Sequence, residues 1–267
     1  MRIFDRYLRQ WGLEPDGAPI RTATSRLLPV RQSAAAAMLK IARVEEERRG
    51  ARVLAWWAGE GAARVLAQDG DALLMERAQG PGSLAAMARR GADDPEATRI
   101  LCGAVARLHA RRGRPPPGLV PLDDWFRDLW PAAERHGGVL RDSARHARAL
   151  LAEPRQPGVL HGDIHHGNVL DFGARGWLAI DPKGLHGERG FDYANLFCNP
   201  SRRTALARGR FERRLDIVAA ASGIEPRRLL QWVLAWAGLS AVWMLQDDAD
   251  PAGTLQVAVR AAAALAV

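Results

Sequence analysis

The sequence predicts an α+β fold in two lobes, a small antiparallel β lobe with one helix followed by a larger, mainly helical lobe. Three observations lead there. Short apolar runs separated by polar turns fill much of the first 78 residues. Gln79-Gly80-Pro81-Gly82 then forms a breaker-rich linker, and beyond it apolar residues recur mainly at helical spacing. The lobes are accordingly placed at 1–78 and 79–267.

Ser25 to Val30 and Ala35 to Ile41 are apolar runs split by the polar turn Arg31-Gln32-Ser33, the pattern of a hairpin. Glu45 to Trp57 has helical spacing, with Ala51, Leu54 and Ala55 on one face. Its acidic residues sit in the first turn, where the helix dipole favours them. Val65 to Ala67 and Ala72 to Glu76 are two more short strands around Gln68-Asp69-Gly70-Asp71. In the second lobe Asp94-Pro95 starts a helix that runs to His109, and the proline run 115–117 closes it with a stiff loop. Helical patterns follow at Trp125 to Arg135 and Arg141 to Ala152. Val159-Leu160, Val169-Leu170 and Trp177 to Ile180 read as short strands. From Arg203 onward the chain is helical again, with Trp232, Trp236 and Trp243 at core spacing.

A chain of 267 residues with 48% hydrophobic and 25% charged residues can bury a sizeable core. Its net charge of +8 raises nucleic acid as a partner. Arg pairs are scattered along the whole chain, however, and no stretch interleaves basic with aromatic residues, so no nucleic-acid partner is expected. No run is read as a membrane span, and charges occupy the N-terminus where a signal peptide would be apolar; a cytoplasmic protein is expected. Cys102 and Cys198 lie outside any ligand pattern and are expected as reduced core residues.

The chemistry concentrates in Leu160-His161-Gly162-Asp163-Ile164-His165-His166-Gly167-Asn168-Val169-Leu170, followed by Ile180-Asp181. Phosphoryl transfer needs a carboxylate to accept the proton of the attacking hydroxyl. It also needs oxygen ligands for the magnesium ions that neutralise the phosphates. Asp163 fits the first task, Asn168 and Asp181 the second. The H-x-D-x-x-x-x-N spacing is that of a kinase catalytic loop, and a strand on each side would hold the loop rigid. A zinc site built from His161, His165 and His166 fits less well, because adjacent His165 and His166 cannot face one way on a regular element.

This segment resembles the catalytic loop of the aminoglycoside phosphotransferases and their choline-kinase-like relatives, which share a bilobal protein-kinase-like fold. With R-G-W-L-A-I-D-P-K-G-L-H-G-E-R-G-F-D-Y-A-N after it, the chain resembles the streptomycin 6-phosphotransferase branch, the aminoglycoside/hydroxyurea antibiotic resistance kinases. Leu39-Lys40-Ile41, the stretches at 45–51 and 56–66, L-L-M-E-R-A at 73–78 and R-R-L-L at 227–230 extend the resemblance over nearly the whole chain.

The resemblance implies ATP and Mg²⁺, with Lys40 on the α- and β-phosphates and Glu47 as its partner, Glu45 and Glu46 being rivals. Lys40 also stands out without it, because a lysine inside an apolar strand needs a partner. Glu76 to Ala78 would be the hinge whose backbone meets the adenine, and Thr22 to Ser25 would close over the phosphates in place of glycines. Asp192 would brace the catalytic loop. A polycationic acceptor calls for carboxylates, for which Glu188, Asp247 and Asp248 are the candidates, although the run 247–250 would equally cap a helix after Pro251. The expected activity is transfer to an aminoglycoside, foremost streptomycin at its 6-hydroxyl, giving antibiotic resistance. Gly167 stands where a streptomycin enzyme of that branch carries Glu, which leaves open an amino alcohol, a sugar or hydroxyurea as acceptor. A catalytically silent kinase-like binding protein would require a lost catalytic group, and none is lost.

Overall fold

The computed structural model describes residues 2–266. Helix α1 (Arg2–Gln10) precedes strands β1 (Leu13–Pro15), β2 (Ile20–Arg21), β3 (Ser25–Gln32) and β4 (Ala35–Ala42). Helix α2 (Glu45–Trp57) follows, then β5 (Val65–Asp69) and β6 (Ala72–Glu76). The strands form one antiparallel sheet in the order β1-β3-β4-β6-β5, with β2 paired to β3. The β3–β4 turn is tighter than its sequence suggested: Gln32 pairs with Ala35, so Ser33 and Ala34 alone make the turn, Ser33 at φ 55°. Helix α1 was not anticipated. Phe4, Tyr7, Leu8 and Trp11 carry its amphipathic spacing, and they pack on Leu28, Val30, Leu39, Ile41 and Leu74 to cover one face of the sheet. Side chains alternate along a strand, so Lys40, between Leu39 and Ile41, points to the opposite face.

The remainder contains α3 (Leu84–Arg90), α4 (Asp94–Leu108), β7 (Val120–Pro121), α5 (Leu122–Trp125), α6 (Leu129–His136) and α7 (Gly138–Ala152). Strands β8 (Pro157–Leu160), β9 (Val169–Asp171), β10 (Trp177–Ala179) and β11 (Leu185–Glu188) come next. Helices α8 (Phe191–Ala194), α9 (Arg202–Ala205), α10 (Arg210–Ser222), α11 (Pro226–Gln246) and α12 (Ala252–Leu265) complete it. The single helix expected over 125–135 is two helices, broken at 126–128. Helix α11 corrects the reading of apolar runs: it is long and apolar enough to cross a membrane by length and composition. It is apolar all round because it is the central helix of this part, with Trp232, Val233, Leu234 and Ala237 at 0% exposure.

Two contacts bring the sheet and the helical part to one centre. Trp57, at the end of α2, stacks on His161 with 6.1 Å between ring centroids. Gly50, in the middle of α2, lies against Pro182, where a β-carbon would sit 2.1 Å from the Pro182 carbonyl oxygen. Glycine lowers helix propensity by about 1 kcal/mol relative to alanine, and here it is what lets the helix touch the strand-end segment. The 79–82 linker is held as well: Gly80 N–H donates to the Asp171 carbonyl (2.9 Å) and Gly82 N–H to its carboxylate (3.0 Å).

Candidate active site

The loop 161–168 leaves β8 and enters β9, and each of its histidines has a local task. His161 is fully buried and its Nε2 meets the Ile180 carbonyl oxygen at 2.8 Å. Burial lowers its pKa, so the ring is neutral. His166 is pushed down to about 2 by burial and the neighbouring Arg214, whose Nη2 lies 3.1 Å away. His165 Nδ1 accepts from the Gly167 N–H (2.9 Å). Three histidines in six residues therefore shape the loop, and they do not converge on one point.

Asp192 of α8 fastens the loop from below. Its buried carboxylate accepts from His161 N–H (2.9 Å) and Gly162 N–H (2.7 Å) and contacts His109 Nε2 (2.8 Å). Burial works against its ionisation, yet His109 and the Gly162 N–H hold its pKa below the usual carboxylate value.

Asp163 is thereby presented at the loop's open side. Its Oδ1 accepts from Asn195 Nδ2 (2.8 Å), and its Oδ2 and carbonyl oxygen accept from Asn168 Nδ2 (3.2 and 2.9 Å). Both bonds from Asn168 use its NH₂ group, so its amide oxygen is left to accept from another ligand. Ile180 N–H donates to the Asn168 carbonyl (2.9 Å), which sets Asp181 beside it. Asp181 has φ 62°, a left-handed conformation that Asp tolerates better than bulkier residues. An amide oxygen and a carboxylate at adjoining chain ends are the hard oxygen donors that suit Mg²⁺.

Lys40 reaches the same point from the sheet. It is buried and contacts Glu47 of α2 and Asp181 Oδ1. Thr24 Oγ1 donates to Glu47 (2.5 Å). Of the three glutamates that open α2, Glu47 faces Lys40; Glu46 faces Lys183 (3.1 Å), and Glu45 lies outside with Arg52 (2.8 Å). Burial opposes ionisation of Asp181, but Lys40 and Lys183 hold its pKa below the usual value. Lys40, Glu47 and Asp181, distant in sequence, are one cluster.

On the other side of Asp163 opens a cavity of about 510 Å³. Trp125, Trp236 and Trp243 form its aromatic wall; Glu46, Asp128, Asp163 and Asp247 are its acidic groups, against Arg127 and Lys183 as basic ones. Trp125 and Trp243 meet edge to face at 5.5 Å, and Trp243 Nε1 donates to Asp128 (3.3 Å). Trp236 and Trp243 thus line a cleft as well as packing the core, whereas Trp232 is buried.

Of the sequence candidates for an acceptor site, Asp247 lines this cavity. Asp248 sits exposed in the following turn at φ 54°, outside the cavity lining. Asp250 takes the capping role foreseen for that run, accepting from Ala252 N–H (2.9 Å). Glu188 is displaced altogether. It is 3% exposed and bonded by Arg228 (2.7 and 2.5 Å), Trp232 Nε1 (2.8 Å) and Arg155 N–H (2.8 Å), so it has no face left for a substrate. At the end of β6, the Glu76 carboxylate is tied to Arg64 N–H (2.5 Å) and Arg175, and its own N–H donates to the Arg64 carbonyl (3.0 Å). The Ala78 carbonyl accepts from Gln79 Nε2 (3.0 Å). Asn195, Asp128 and Lys183 are candidate site residues that sequence reasoning passed over, and Glu46, foreseen as a rival partner for Lys40, lines the cavity instead. Lys183 alone carried a signal, as one of only two lysines among 38 basic residues.

The family model of aminoglycoside/hydroxyurea antibiotic resistance kinases matches residues 10–248. The chain is 55% identical over 245 residues to streptomycin 3''-kinase of Klebsiella pneumoniae, a match covering 90% of this chain and 91% of that one. It is 31% identical over 275 residues to streptomycin 6-kinase of Streptomyces griseus, covering 97% and 87%. Among solved structures it is similar to a thermostable mutant of aminoglycoside phosphotransferase APH(4)-Ia in ternary complex with ADP and hygromycin B. That likeness has a TM-score of 0.63 at 14% identity and covers 98% and 95% of the two chains, which establishes the bilobal protein-kinase-like fold. The chain belongs to the aminoglycoside/hydroxyurea antibiotic resistance kinases, phosphotransferases that act on hydroxyl groups.

Proposed function

We propose that this enzyme phosphorylates streptomycin with ATP and Mg²⁺ in the cytoplasm and thereby confers resistance, and that the hydroxyl modified is the 3''. The observation that carries the reading is Asp163, which stands between the Lys40–Asp181 cluster and an acidic, tryptophan-walled cavity fit for a cationic sugar. For the position, the 55% identity to a 3''-kinase outweighs the 31% to a 6-kinase, and the 6-hydroxyl foreseen from sequence becomes the second choice.

In this reading residues 1–78 hold the nucleotide and 79–267 supply the loop and the acceptor site. Asp163 orients the acceptor hydroxyl and takes its proton, while Asn195 and Asn168 keep its carboxylate in place. Lys40, steadied by Glu47, holds the α- and β-phosphates, with the hinge at Glu76 to Ala78 against the adenine. Asn168 and Asp181 would hold magnesium, which neutralises phosphate charge when bound. Asp247 and Asp128 face the cationic groups of the acceptor.

Incubation with ATP, Mg²⁺ and a panel of aminoglycosides and small alcohols, followed by NMR of the phosphorylated product, tests this. Streptomycin 3''-phosphate is expected; absence of turnover with every streptomycin-type compound would refute the reading. Asp181→Asn is expected to weaken Mg²⁺-dependent nucleotide binding at least tenfold, about 1.4 kcal/mol, as measured by calorimetry with and without the metal.

A further inference from the structure

Lys183 has partners in the site but no task yet in the transfer. Lysine is rare here: of 38 Lys and Arg residues only Lys40 and Lys183 are lysine, and both touch Asp181. They approach its two different oxygens, Lys40 at Oδ1 and Lys183 at Oδ2 (3.8 Å). Each has its own glutamate on α2, Glu47 for Lys40 and Glu46 for Lys183. The result is a chain of alternating charge, Glu47–Lys40–Asp181–Lys183–Glu46, drawn across the catalytic centre. Lys183 also lines the acceptor-side cavity together with Gly162 and Asp163.

The backbone under Lys183 is pinned. Its N–H donates to the His161 carbonyl (2.7 Å), and its carbonyl accepts from Arg49 Nε (3.0 Å). Gly162, at φ 87°, makes room for it: a β-carbon there would lie 3.0 Å from that of Lys183. The side chain extends from this fixed point to both of its partners, and Glu46 is itself partly exposed. A tie to Glu46 alone would be served better by arginine, whose fork binds carboxylates in two places and which this chain uses almost everywhere else. Lysine is instead a compact point charge of the kind that binds phosphate in nucleotide sites.

We propose that Lys183 is a second phosphate-binding lysine, which grips the γ-phosphoryl group from the acceptor side while Lys40 holds the α- and β-phosphates. This rests on phosphoryl transfer and is independent of which acceptor is used. In the step, the acceptor oxygen forms its bond to the γ-phosphorus and its proton passes to Asp163. The bond from that phosphorus to the β–γ bridging oxygen breaks, and its electron pair leaves with ADP. Lys183 stays protonated throughout and neutralises the charge on the oxygens of the group in flight.

The scarcity of lysine makes a direct test available. An ATP derivative acylated on its γ-phosphate transfers its acyl group to amines lying against that phosphate, and peptide mass spectrometry locates the label. Label on both Lys40 and Lys183, suppressed by excess ATP, is expected; label on Lys40 without Lys183 overturns the proposal. This readout needs neither an acceptor nor a variant, so it stands apart from the streptomycin test. In turnover, Lys183→Met should lower kcat about 10²- to 10³-fold, as loss of one charge-stabilising donor does, with the Kd for ATP within about threefold of the parent. Lys183→Arg should recover part of the loss. Glu46→Gln, which removes the tie and keeps the lysine, should lose at least about tenfold less turnover than Lys183→Met, since Glu46 holds the amine without itself meeting the phosphate. Equal loss in Glu46→Gln and Lys183→Met would show that Lys183 only fastens α2, and would refute the proposal.

Discussion

Asp163→Asn is expected to lower kcat by about 10²- to 10⁴-fold, the range a positioned general base contributes. The geometry makes this a clean substitution. Asp163 accepts from Asn195 on one oxygen and from Asn168 on the other and on its carbonyl. An asparagine retains one side-chain oxygen and the backbone contact, so the loop keeps most of its bonds while the proton acceptor is lost. Lys40, Glu47 and Asp181 do not contact the substituted carboxylate, and calorimetric affinity for ATP should therefore remain within a few-fold of the parent. Turnover within tenfold of the parent would remove Asp163 from the role of base.

The second large effect falls on stability. Glu188→Ala is expected to destabilise the fold by about 3–5 kcal/mol, the usual result of removing one partner of a buried ion pair. Arg228 would be left as a buried guanidinium without its carboxylate, and the Trp232 and Arg155 N–H groups would lose their acceptor. Against a typical total of about 5–15 kcal/mol, this should appear as a large fall in the denaturant midpoint. The same variant, assayed at a temperature where it is folded, should keep the parent KM for the acceptor. A raised KM with unchanged stability would return Glu188 to the acceptor site.

The catalytic loop was readable because its chemistry is local. Asp163, Asn168 and the following Asp181 lie on one short stretch whose spacing is set by two strands, and few residue types can do their work. Lys40 was readable for a different reason, since an amine inside an apolar strand has to have a partner. The long regular elements followed from periodicity: α2 spans the residues 45–57 that its pattern predicted. Helix α1 carried the same kind of pattern in Phe4, Tyr7, Leu8 and Trp11 and was overlooked. Strand β11 carried none, because Leu-His-Gly-Glu becomes a strand through its pairing with β7 and β8.

Glu188 shows where such reading stops. An acidic residue shortly after a catalytic segment looks available to a cation until its partner is known, and that partner, Arg228, arrives forty residues later on α11. The tryptophans of α11 are a similar case: helical spacing separates core from surface but cannot tell a packed stripe from the wall of a cleft. By itself, then, the sequence determined the loop chemistry, the strand–helix order and the lysine that needed a carboxylate. Only the tertiary structure decided which glutamate meets which lysine. Glu45, Glu46 and Glu47 follow one another around the first turn of α2, about 100° apart, so any of them could face the sheet. The docking of that helix selects Glu47 for Lys40 and leaves Glu46 to Lys183, and the docking depends on Gly50 lying against Pro182, a contact between residues far apart in the chain.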